Sequence, residues 1–351
     1  MVDHRPLSVA GAFQVFVGFP ELVDQGMVSA DRRLTFQGHR HQLLAGFLDH
    51  LLGDVDHHGA GPAGGGDGLT VGNRVFEVLE AKGIDVIDLT ARDAAAAETK
   101  ARQAIADQRI SALVVVGGDG VVHLGVNACA GTEVPLGIIP AGTGNDAAQS
   151  LEISTTDIDA AIQTLLANLS GELRVDLGRA TTSAGNFWFF GTVSAGFDSL
   201  VNRRANSMRW PWGPIRYQVA MVLELLTFKG TDYVAEIDGV ERKFRAMLCA
   251  VVNNGVFGGG MRIVPDASIT DGQLNLFIVH QITRRELIKV FPKVYSGRHV
   301  THPAVEILTA QSIKLMSAEM PAYSDGEAVG YPPIRAEVVP KTLRVCAAAA
   351  P

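Results

Sequence analysis

Two short apolar runs, each followed at once by a loop of small and acidic residues, constrain the fold of this chain most strongly. Residues 112–116 read ALVVV and lead into GGDG at 117–120, and residues 134–139 read VPLGII and lead into PAGTGND at 140–146. Wholly apolar strands are typical of parallel sheets, because helices cover both faces of such sheets. The sequence therefore predicts a parallel α/β sheet that contains these two strands.

Helix and strand signals around the two runs continue this pattern. Apolar residues recur at helical spacing over residues 71–79, and residues 84–89 have the composition of a strand. Asp93 can cap a second helix that runs to about residue 108, and a third helix is expected over residues 121–130. Strands and helices therefore alternate, as they do in α/β domains.

The pattern changes near residue 170, where strand-like runs separated by Gly, Asp or Pro begin to dominate. One helix is expected among them, over residues 215–228. The runs cover residues 173–179, 187–192, 233–237, 244–252, 273–279, 305–308, 312–316, 334–339 and 342–346. We therefore predict an α/β domain over residues 59–170 and a β-rich domain of sandwich or barrel type over residues 171–351.

Residues 1–58 fit neither pattern and are interpreted as an atypical N-terminal extension. They hold six of the ten histidines, which would suit a metal site. However, no cysteine or carboxylate ligand set accompanies these histidines, so an irregular solvated segment is the simpler interpretation. One strand within residues 13–19 and one helix within residues 41–52 are the only elements we expect here.

Composition excludes several classes of function. The chain has 351 residues and a net charge of −7, whereas a protein that binds nucleic-acid phosphates carries a basic surface. The three cysteines form no CxxC pair, which argues against a disulfide framework and fits a reducing compartment. No apolar stretch reaches the ~18 residues of a membrane-spanning helix, and the N-terminus makes a poor secretion signal. We therefore expect a cytoplasmic protein that does not bind nucleic acid.

The two glycine loops are the first candidate site. Glycines after a strand let backbone N–H groups approach an anion, and the N-terminus of the next helix adds positive potential. Thr143, Asn145 and Asp146 in the second loop offer further polar groups, although a helix cap and turn would have the same composition. Loops at adjacent strand ends share one crevice, so Asp119 and Asp146 are both expected to face that crevice.

Two later motifs are weaker alone. Residues 324–327 read SDGE, and Asp-Gly is also a common hairpin turn. Residues 258–275 are rich in glycine and oxygen ligands, which suits a hard cation such as Mg²⁺ but also suits turns. A GxxxxGK[ST] loop is absent, and the GxGxxG match at residues 59–64 follows no buried strand.

The motifs VVVGGDG, GIIPAGTGND, GGGMRIVPDASITDGQLN and YSDGE occur in this order. Together they resemble the diacylglycerol kinase catalytic-domain family, soluble bacterial lipid kinases that are related to sphingosine kinases. Residues 206–217 resemble the actinobacterial diacylglycerol kinases in particular. The resemblance covers roughly residues 59–347. It implies an α/β nucleotide domain, an all-β sandwich-like second domain whose last strands can return to the first, and an active site in the cleft between them.

The resemblance also assigns roles to residues. Glu327 matches the proton acceptor, with Asp325 as an accessory or rival base, and Asp271 with the carbonyls of Ser268 and Gln273 matches a structural Mg²⁺ site. The residues that match ATP-binding positions lie in glycine loops or at strand ends: Gly117, Gly118, Asp119, Gly120, Val121, Val122, His123, Leu124, Thr90, Thr143, Asn145, Asp146, Pro62, Gly64 and Gly65.

This chain departs from the family pattern at several positions. Val121 stands where threonine is usual, His123 where asparagine is usual, and Asn275 where aspartate is usual. The family begins with an apolar strand and an Asn-Pro-x-x-Gly loop, but here Gly61 replaces the asparagine and no clear strand precedes it. Residues 1–58 are therefore either a genuine extension or a start that does not correspond to that of the family.

The resemblance implies an ATP- and Mg²⁺-dependent kinase of lipid metabolism that phosphorylates diacylglycerol to phosphatidic acid. A kinase of another lipid or small alcohol (a sphingoid base, a glycolipid or NAD) stays an alternative, as does a non-catalytic nucleotide- or lipid-binding regulator. Diacylglycerol lies in a bilayer, so we expect peripheral contact with the inner face of the membrane. Trp210 and Trp212 are the candidate contacts, unless both are buried. A homodimer is an open expectation.

Overall fold

The computed structural model describes residues 14–17, 67–91, 93–142, 144–195, 230–317 and 321–348, together with residues 201, 204, 208, 219–220 and 223–224. The α-helices with described bounds are α1 (Asp67–Ala81), α2 (Ala94–Ala106), α3 (Asp119–Cys129), α4 (Asp146–Ser150), α5 (Ile158–Ala167) and α6 (Arg284–Val290).

The strands are β1 (Gln14–Val17), β2 (Ile87–Asp88), β3 (Leu113–Gly117), β4 (Leu136–Pro140), β5 (Leu173–Thr182), β6 (Gly185–Phe189), β7 (Thr192–Ala195), β8 (Thr231–Ile237), β9 (Val240–Val252), β10 (Val256–Phe257), β11 (Met261–Arg262), β12 (Leu274–His280), β13 (Val305–Ala310), β14 (Ser312–Ser317), β15 (Ala322–Ser324), β16 (Glu327–Ala328) and β17 (Ile334–Val345).

The two apolar runs form the parallel pair β3 and β4, as predicted. The helix α3 returns between them and packs closely, because a methyl group at Gly125 would lie 2.7 Å from Leu136 and 2.9 Å from Val115. Asp93 caps α2 through a hydrogen bond that its side chain accepts from the N–H of Ala96. This part of the chain is the α/β unit that the sequence predicts.

The strand β1 lies inside the region that we interpreted as an extension. It pairs antiparallel with both β2 and β3, with Gln14 opposite Val116. Two successive antiparallel pairings make β2 run in the same direction as β3. The carboxyl ends of β2, β3 and β4 therefore lie along one edge of the sheet.

The second half of the chain is β-rich and sandwich-like, as predicted. All described strands except β10 and β11 belong to one sheet, in which β17 lies between β14 and β4 and also pairs with β5. The runs at 334–339 and 342–346 are one strand, β17, with an irregularity between Val339 and Leu343. At this irregularity Lys341 has φ = +55°, and its N–H donates to the buried Asp176 of β5 at 2.8 Å.

Helix α6 was not predicted among these strands. Its N-terminus has a recognisable signal in Thr283-Arg-Arg-Glu286, because Glu286 accepts the N–H of Thr283 and Thr283 accepts the N–H of Glu286. This reciprocal arrangement is a capping box. The 3₁₀ turns Phe291–Ser296 and Arg298–Thr301 follow α6. None of the helices within the described ranges is long and apolar enough to cross a bilayer.

Candidate active site

The two glycine loops touch each other backbone to backbone. They follow the parallel neighbours β3 and β4, and Ala141 N–H donates to the carbonyl of Gly117 at 2.9 Å. A methyl group at Gly142 would lie 2.3 Å from the Cα of Gly118, which no real side chain tolerates. The absence of a side chain at position 142 is therefore what lets the two loops form one continuous surface.

Asn145 shapes the second loop. It has φ = +56° in the left-handed region, which asparagine tolerates better than most residues. Its side chain accepts the N–H of Gly142 at 3.0 Å and donates to the carbonyl of Gly142 at 2.8 Å. These two bonds close the loop and direct α4 toward the first loop.

Asp119 and Asp146 meet where the loops join. Asp119 Oδ1 accepts the backbone N–H of Asp146 at 2.7 Å. Asp146 Oδ1 accepts the N–H groups of Gly259 and Gly260 at 3.0 and 2.8 Å. The glycine run of the second half of the chain therefore holds a carboxylate of the first half.

Burial and neighbouring carboxylates disfavour the charged forms of both residues. Burial, the nearby charge of Asp146 and that of Asp325 raise the pKa of Asp119 to about 7, although backbone hydrogen bonds oppose this. Burial and the charge of Asp325 also raise the pKa of Asp146. Crowded, buried carboxylates of this kind are the oxygen ligands that a hard divalent cation prefers.

The helix α3 presents its N-terminus to the same place. Gly118 is its N-cap and provides no side-chain hydrogen bond. The first N–H groups of a helix have no partner within it, so they and the helix dipole can hold a phosphate. The side chains of Val121, Val122 and Leu124 are buried in the apolar core, so these residues can face a nucleotide only with their backbone.

Asp325 lies in the tight turn between β15 and β16. Asp325 and Gly326 have φ of +47° and +90°, as in a type I′ Asp-Gly turn. Its carboxylate is engaged by the backbone: Oδ1 accepts the N–H groups of Gly191 and Thr192 at 3.0 and 2.8 Å, and Oδ2 accepts that of Phe190 at 3.2 Å.

Glu327 has different surroundings, although it is only two residues away. Its side chain is exposed, and a methyl group at Gly120 would lie 2.9 Å from Glu327 Oε1. The carboxylate therefore lies over the first turn of α3. The structure thus brings the two glycine loops and the acidic turn of residues 325–327 together.

Thr90 follows β2 at the same edge of the sheet. Its backbone N–H donates to Asp88 Oδ1 at 2.8 Å, and its carbonyl accepts a bond from Lys100 Nζ at 2.6 Å. Its hydroxyl is buried, and no described residue is hydrogen-bonded to it. A buried hydroxyl of this kind suits contact with a polar ligand.

The candidate Mg²⁺ residues Ser268, Asp271 and Gln273 share one loop before β12. Asp271 Oδ1 accepts the N–H of Gln273 at 3.0 Å, an arrangement that needs no metal. Within the described ranges, no three His, Cys, Asp or Glu side chains cluster as metal ligands. The Mg²⁺ site on this loop stays a prediction.

Asn275 is buried and accepts a hydrogen bond from Thr309 at 3.2 Å.

Six of the residues singled out from the sequence lie outside the described residues: Pro62, Gly64, Gly65, Thr143, Trp210 and Trp212.

Sequence reasoning missed Asp176, which is buried in β5 and accepts the N–H of Gly272 at 2.7 Å besides that of Lys341. An aspartate between the apolar residues Val175 and Leu177 was the available signal. Asp176 fixes the loop on which Asp271 lies.

Two protein-family models match consecutive parts of this chain. The diacylglycerol kinase catalytic domain matches residues 61–180, and the YegS C-terminal NAD kinase beta sandwich-like domain matches residues 191–347. The diacylglycerol kinase of Mycobacterium tuberculosis is 35% identical over 298 residues, which are 84% of this chain and 96% of the relative. This chain belongs to the diacylglycerol kinase family.

Other relatives of this lipid kinase family are more distant. The diacylglycerol kinase of Staphylococcus carnosus is 28% identical over 74% of this chain and 83% of its own length. The crystal structure of a diacylglycerol kinase from Bacillus anthracis matches with a TM-score of 0.52 at 19% identity, over 73% of this chain and 81% of that one. This likeness shows the shared fold. Family membership identifies the chain as a kinase-type phosphotransferase.

Proposed function

We propose that this protein transfers the γ-phosphoryl group of ATP to the hydroxyl of diacylglycerol and so forms phosphatidic acid. The observation that carries this proposal is the position of Glu327, whose exposed carboxylate lies over the N-terminus of α3. A phosphate-binding helix terminus and a proton-accepting carboxylate are therefore adjacent. Relatives named diacylglycerol kinase support this choice of acceptor.

The glycine loops would hold the nucleotide. Phosphoryl transfer asks the protein mainly to align the phosphates and to neutralise charge. The N-terminus of α3, with Gly118 as its N-cap, supplies N–H groups for this, and the unpaired hydroxyl of Thr90 lies at the same edge. Pro62, Gly64, Gly65 and Thr143 complete this proposed ATP site.

The residues present fit Mg²⁺, because Asp119 and Asp146 are crowded carboxylates whose pKa values are both raised by burial. These two residues would hold the ion. When bound, it supplies positive charge that offsets the charge of the phosphates. A second, structural Mg²⁺ at Asp271, with the carbonyls of Ser268 and Gln273, is part of the same proposal.

Glu327 would accept the proton of the attacking hydroxyl. Asp325 is the rival base, but both of its oxygens already accept backbone N–H groups. A carboxylate bound in this way is a better anchor for the turn than a proton acceptor. We therefore assign the base to Glu327 and the shaping of the turn to Asp325.

The lipid substrate places the reaction at a membrane surface. We propose a cytoplasmic protein that docks at the inner face through the segment of residues 208–216, which holds two tryptophans and two arginines. Tryptophan favours the headgroup level and arginine attracts anionic lipid.

A test of the function measures ATP consumption with and without vesicle-borne diacylglycerol, and identifies the lipid product. We expect diacylglycerol-dependent consumption and phosphatidic acid, and both at rates lowered ~100-fold or more in Glu327→Gln. Phosphorylation of a sphingoid base, a glycolipid or NAD, and not of diacylglycerol, would mean that the proposed phosphoryl acceptor is wrong. ATP binding without turnover on any of them would indicate a non-catalytic regulator.

A further inference from the structure

His123 lies one turn into α3 and faces the acidic turn of residues 325–327. Its Nδ1 is 3.4 Å from Asp325 Oδ2, and 15% and 12% of the two side chains are exposed. The charged groups that face it are Asp325, Glu327 and, from α2, Glu98. A buried imidazole therefore connects α3 to the turn that carries the proposed base.

The neighbours of His123 fix which ring nitrogen carries the proton. The Oδ1 of Asn127 accepts the backbone N–H of Trp188 at 2.9 Å, and its Nδ2 donates to the carbonyl of Trp188 at 2.9 Å. The two hydrogens of this amide are donated to the carbonyls of Trp188 and His123, each at 2.9 Å, so Asn127 does not decide the tautomer although its Nδ2 is 3.2 Å from His123 Nε2. Asp325 decides it, because a carboxylate oxygen accepts a hydrogen bond and its Oδ2 lies 3.4 Å from His123 Nδ1. The proton that bridges the two groups is therefore on Nδ1.

The geometry points to His123 as a positioning residue: its Nδ1–H donates to Asp325 Oδ2, ties the acidic turn to α3 and so holds Glu327 over Gly120. The backbone donors to Asp325 come from residues 190–192, whereas His123 adds a donor from the phosphate-binding helix itself. This inference rests on the proposed function, since it concerns where the proton-accepting carboxylate lies. Asparagine, usual at this position in the family pattern, has a donor at the same δ position.

The first experiment needs no activity. Long-range ¹H–¹⁵N spectra of the full chain report which ring nitrogen is protonated and at what pH the ring titrates. Burial lowers the pKa of His123, but its hydrogen bond to Asp325 and the charges of Asp325, Glu327 and Glu98 raise it more. We expect a protonated Nδ1 in the neutral ring. In Asp325→Asn, the midpoint should fall by about 1 pH unit or more.

A protonated Nε2 in the neutral ring, or an unchanged midpoint in Asp325→Asn, would overturn the assignment. Either result could occur whether or not the protein phosphorylates diacylglycerol. Failure of this inference is thereby distinguished from failure of the proposed function.

The second experiment compares two amide substitutions that place a donor at different positions. His123→Asn keeps a donor near the δ position, and His123→Gln moves it to the ε position. We expect His123→Asn to keep most of kcat and His123→Gln to lose about 10-fold or more, with the KM for ATP little changed in both. Equal losses in the two variants would mean that His123 only fills space.

Two further variants separate positioning from a general loss of stability. The fold-decrease in kcat caused by Glu327→Gln should be smaller in the His123→Gln background than in the wild type. In that background the base is already displaced, so its removal changes kcat less. If the fold-decreases in kcat of the two substitutions simply multiplied in the double variant, His123 would not act through the position of Glu327. His280→Gln is the matched control, since it breaks a histidine–carboxylate pair with Glu306 (2.8 Å) elsewhere and should leave kcat unchanged.

Discussion

Asp325 and Glu327 are two residues apart in the sequence, but the fold gives their carboxylates different surroundings. Asp325 accepts three backbone N–H groups, whereas Glu327 is exposed over α3. Glu327→Gln should therefore lower kcat by ~100-fold or more without changing ATP binding or the melting temperature. Turnover assays, nucleotide titration and thermal unfolding check the three parts of this expectation.

Asp325→Asn should behave in the opposite way. Its amide group would place an N–H₂ against backbone N–H donors, and at least one donor would lose its acceptor. We expect a loss of roughly 1–3 kcal/mol of stability, seen as a lower melting temperature, together with reduced activity. A stable Asp325→Asn protein that has lost its activity, beside a mild effect of Glu327→Gln, would exchange the two roles.

Asp119 makes stability depend on pH. Burial and the charge of Asp146 raise its pKa to about 7, while the unfolded chain releases this proton near pH 4. Between these two values the folded state binds more protons than the unfolded state, so stability falls as the pH rises. We expect the melting temperature without Mg²⁺ to fall from pH 5 to pH 8, and Asp119→Asn to reduce this slope.

Added Mg²⁺ should raise the melting temperature more at pH 8 than at pH 5, because the ion competes with the proton for the same carboxylates. Asp159→Asn is the control, since Asp159 is exposed and pairs with Arg74 at 3.2 Å. An identical slope in wild type and Asp119→Asn would contradict the prediction.

Among the structural elements, the contact between the two glycine loops is the most sensitive to one added carbon. Gly142→Ala would place a methyl group 2.3 Å from Gly118 Cα, so the loops must separate. We expect a loss of roughly 1–3 kcal/mol of stability and a clearly higher KM for ATP. Gly83→Ala is the control: it has φ = +74° with open space around it, so it should cost stability but not affinity.

Some elements of the fold could be predicted from local sequence patterns, and the contacts around the acidic turn of residues 325–327 could not. The buried strands β3 and β4 and the cap at Asp93 follow from local patterns, and the structure contains them. The surroundings of Asp325 do not, because its backbone donors lie about 135 residues earlier in the chain. No spacing rule connects such distant segments; only the pairing of β15 with β7 does so.

Helix α6 was missed and strand β17 was predicted as two strands, for different reasons. The sequence contains the capping box at Thr283, but the strand-like runs on both sides favoured a β interpretation of the whole region. β17 was predicted as two strands because Pro340 and Lys341 resemble a turn, whereas a buried carboxylate, Asp176, holds that irregularity within one strand.

For the molecule as a whole, the proposed docking at a membrane surface can be tested with the two tryptophans of residues 208–216. The double variant Trp210→Ala with Trp212→Ala should lower binding to anionic vesicles and activity on vesicle-borne diacylglycerol. Activity on a short-chain soluble analogue should be unchanged, because only docking is impaired. Vesicle pelleting and the two assays check this. Equal losses on both substrates would indicate a role in folding or in the lipid pocket.

The sheet that joins both halves of the chain has β17 beside β4, where Val345 pairs with Leu136 and Cys346 N–H donates to the carbonyl of Leu136 at 2.9 Å. The boundary near residue 170 stays a prediction, and this pairing crosses it.

In this pairing, β4 is synthesised long before its partner strand β17. Leu343, Val345, Cys346 and Ala347 are buried in the same apolar cluster as β3, β4 and α3. A ribosome adds these residues long after β4 has left the exit tunnel, so until then one side of β4 has no partner strand. An exposed strand edge invites association with other chains. We therefore expect this edge of β4 to be open to association with other chains until β17 has been synthesised and has paired with it.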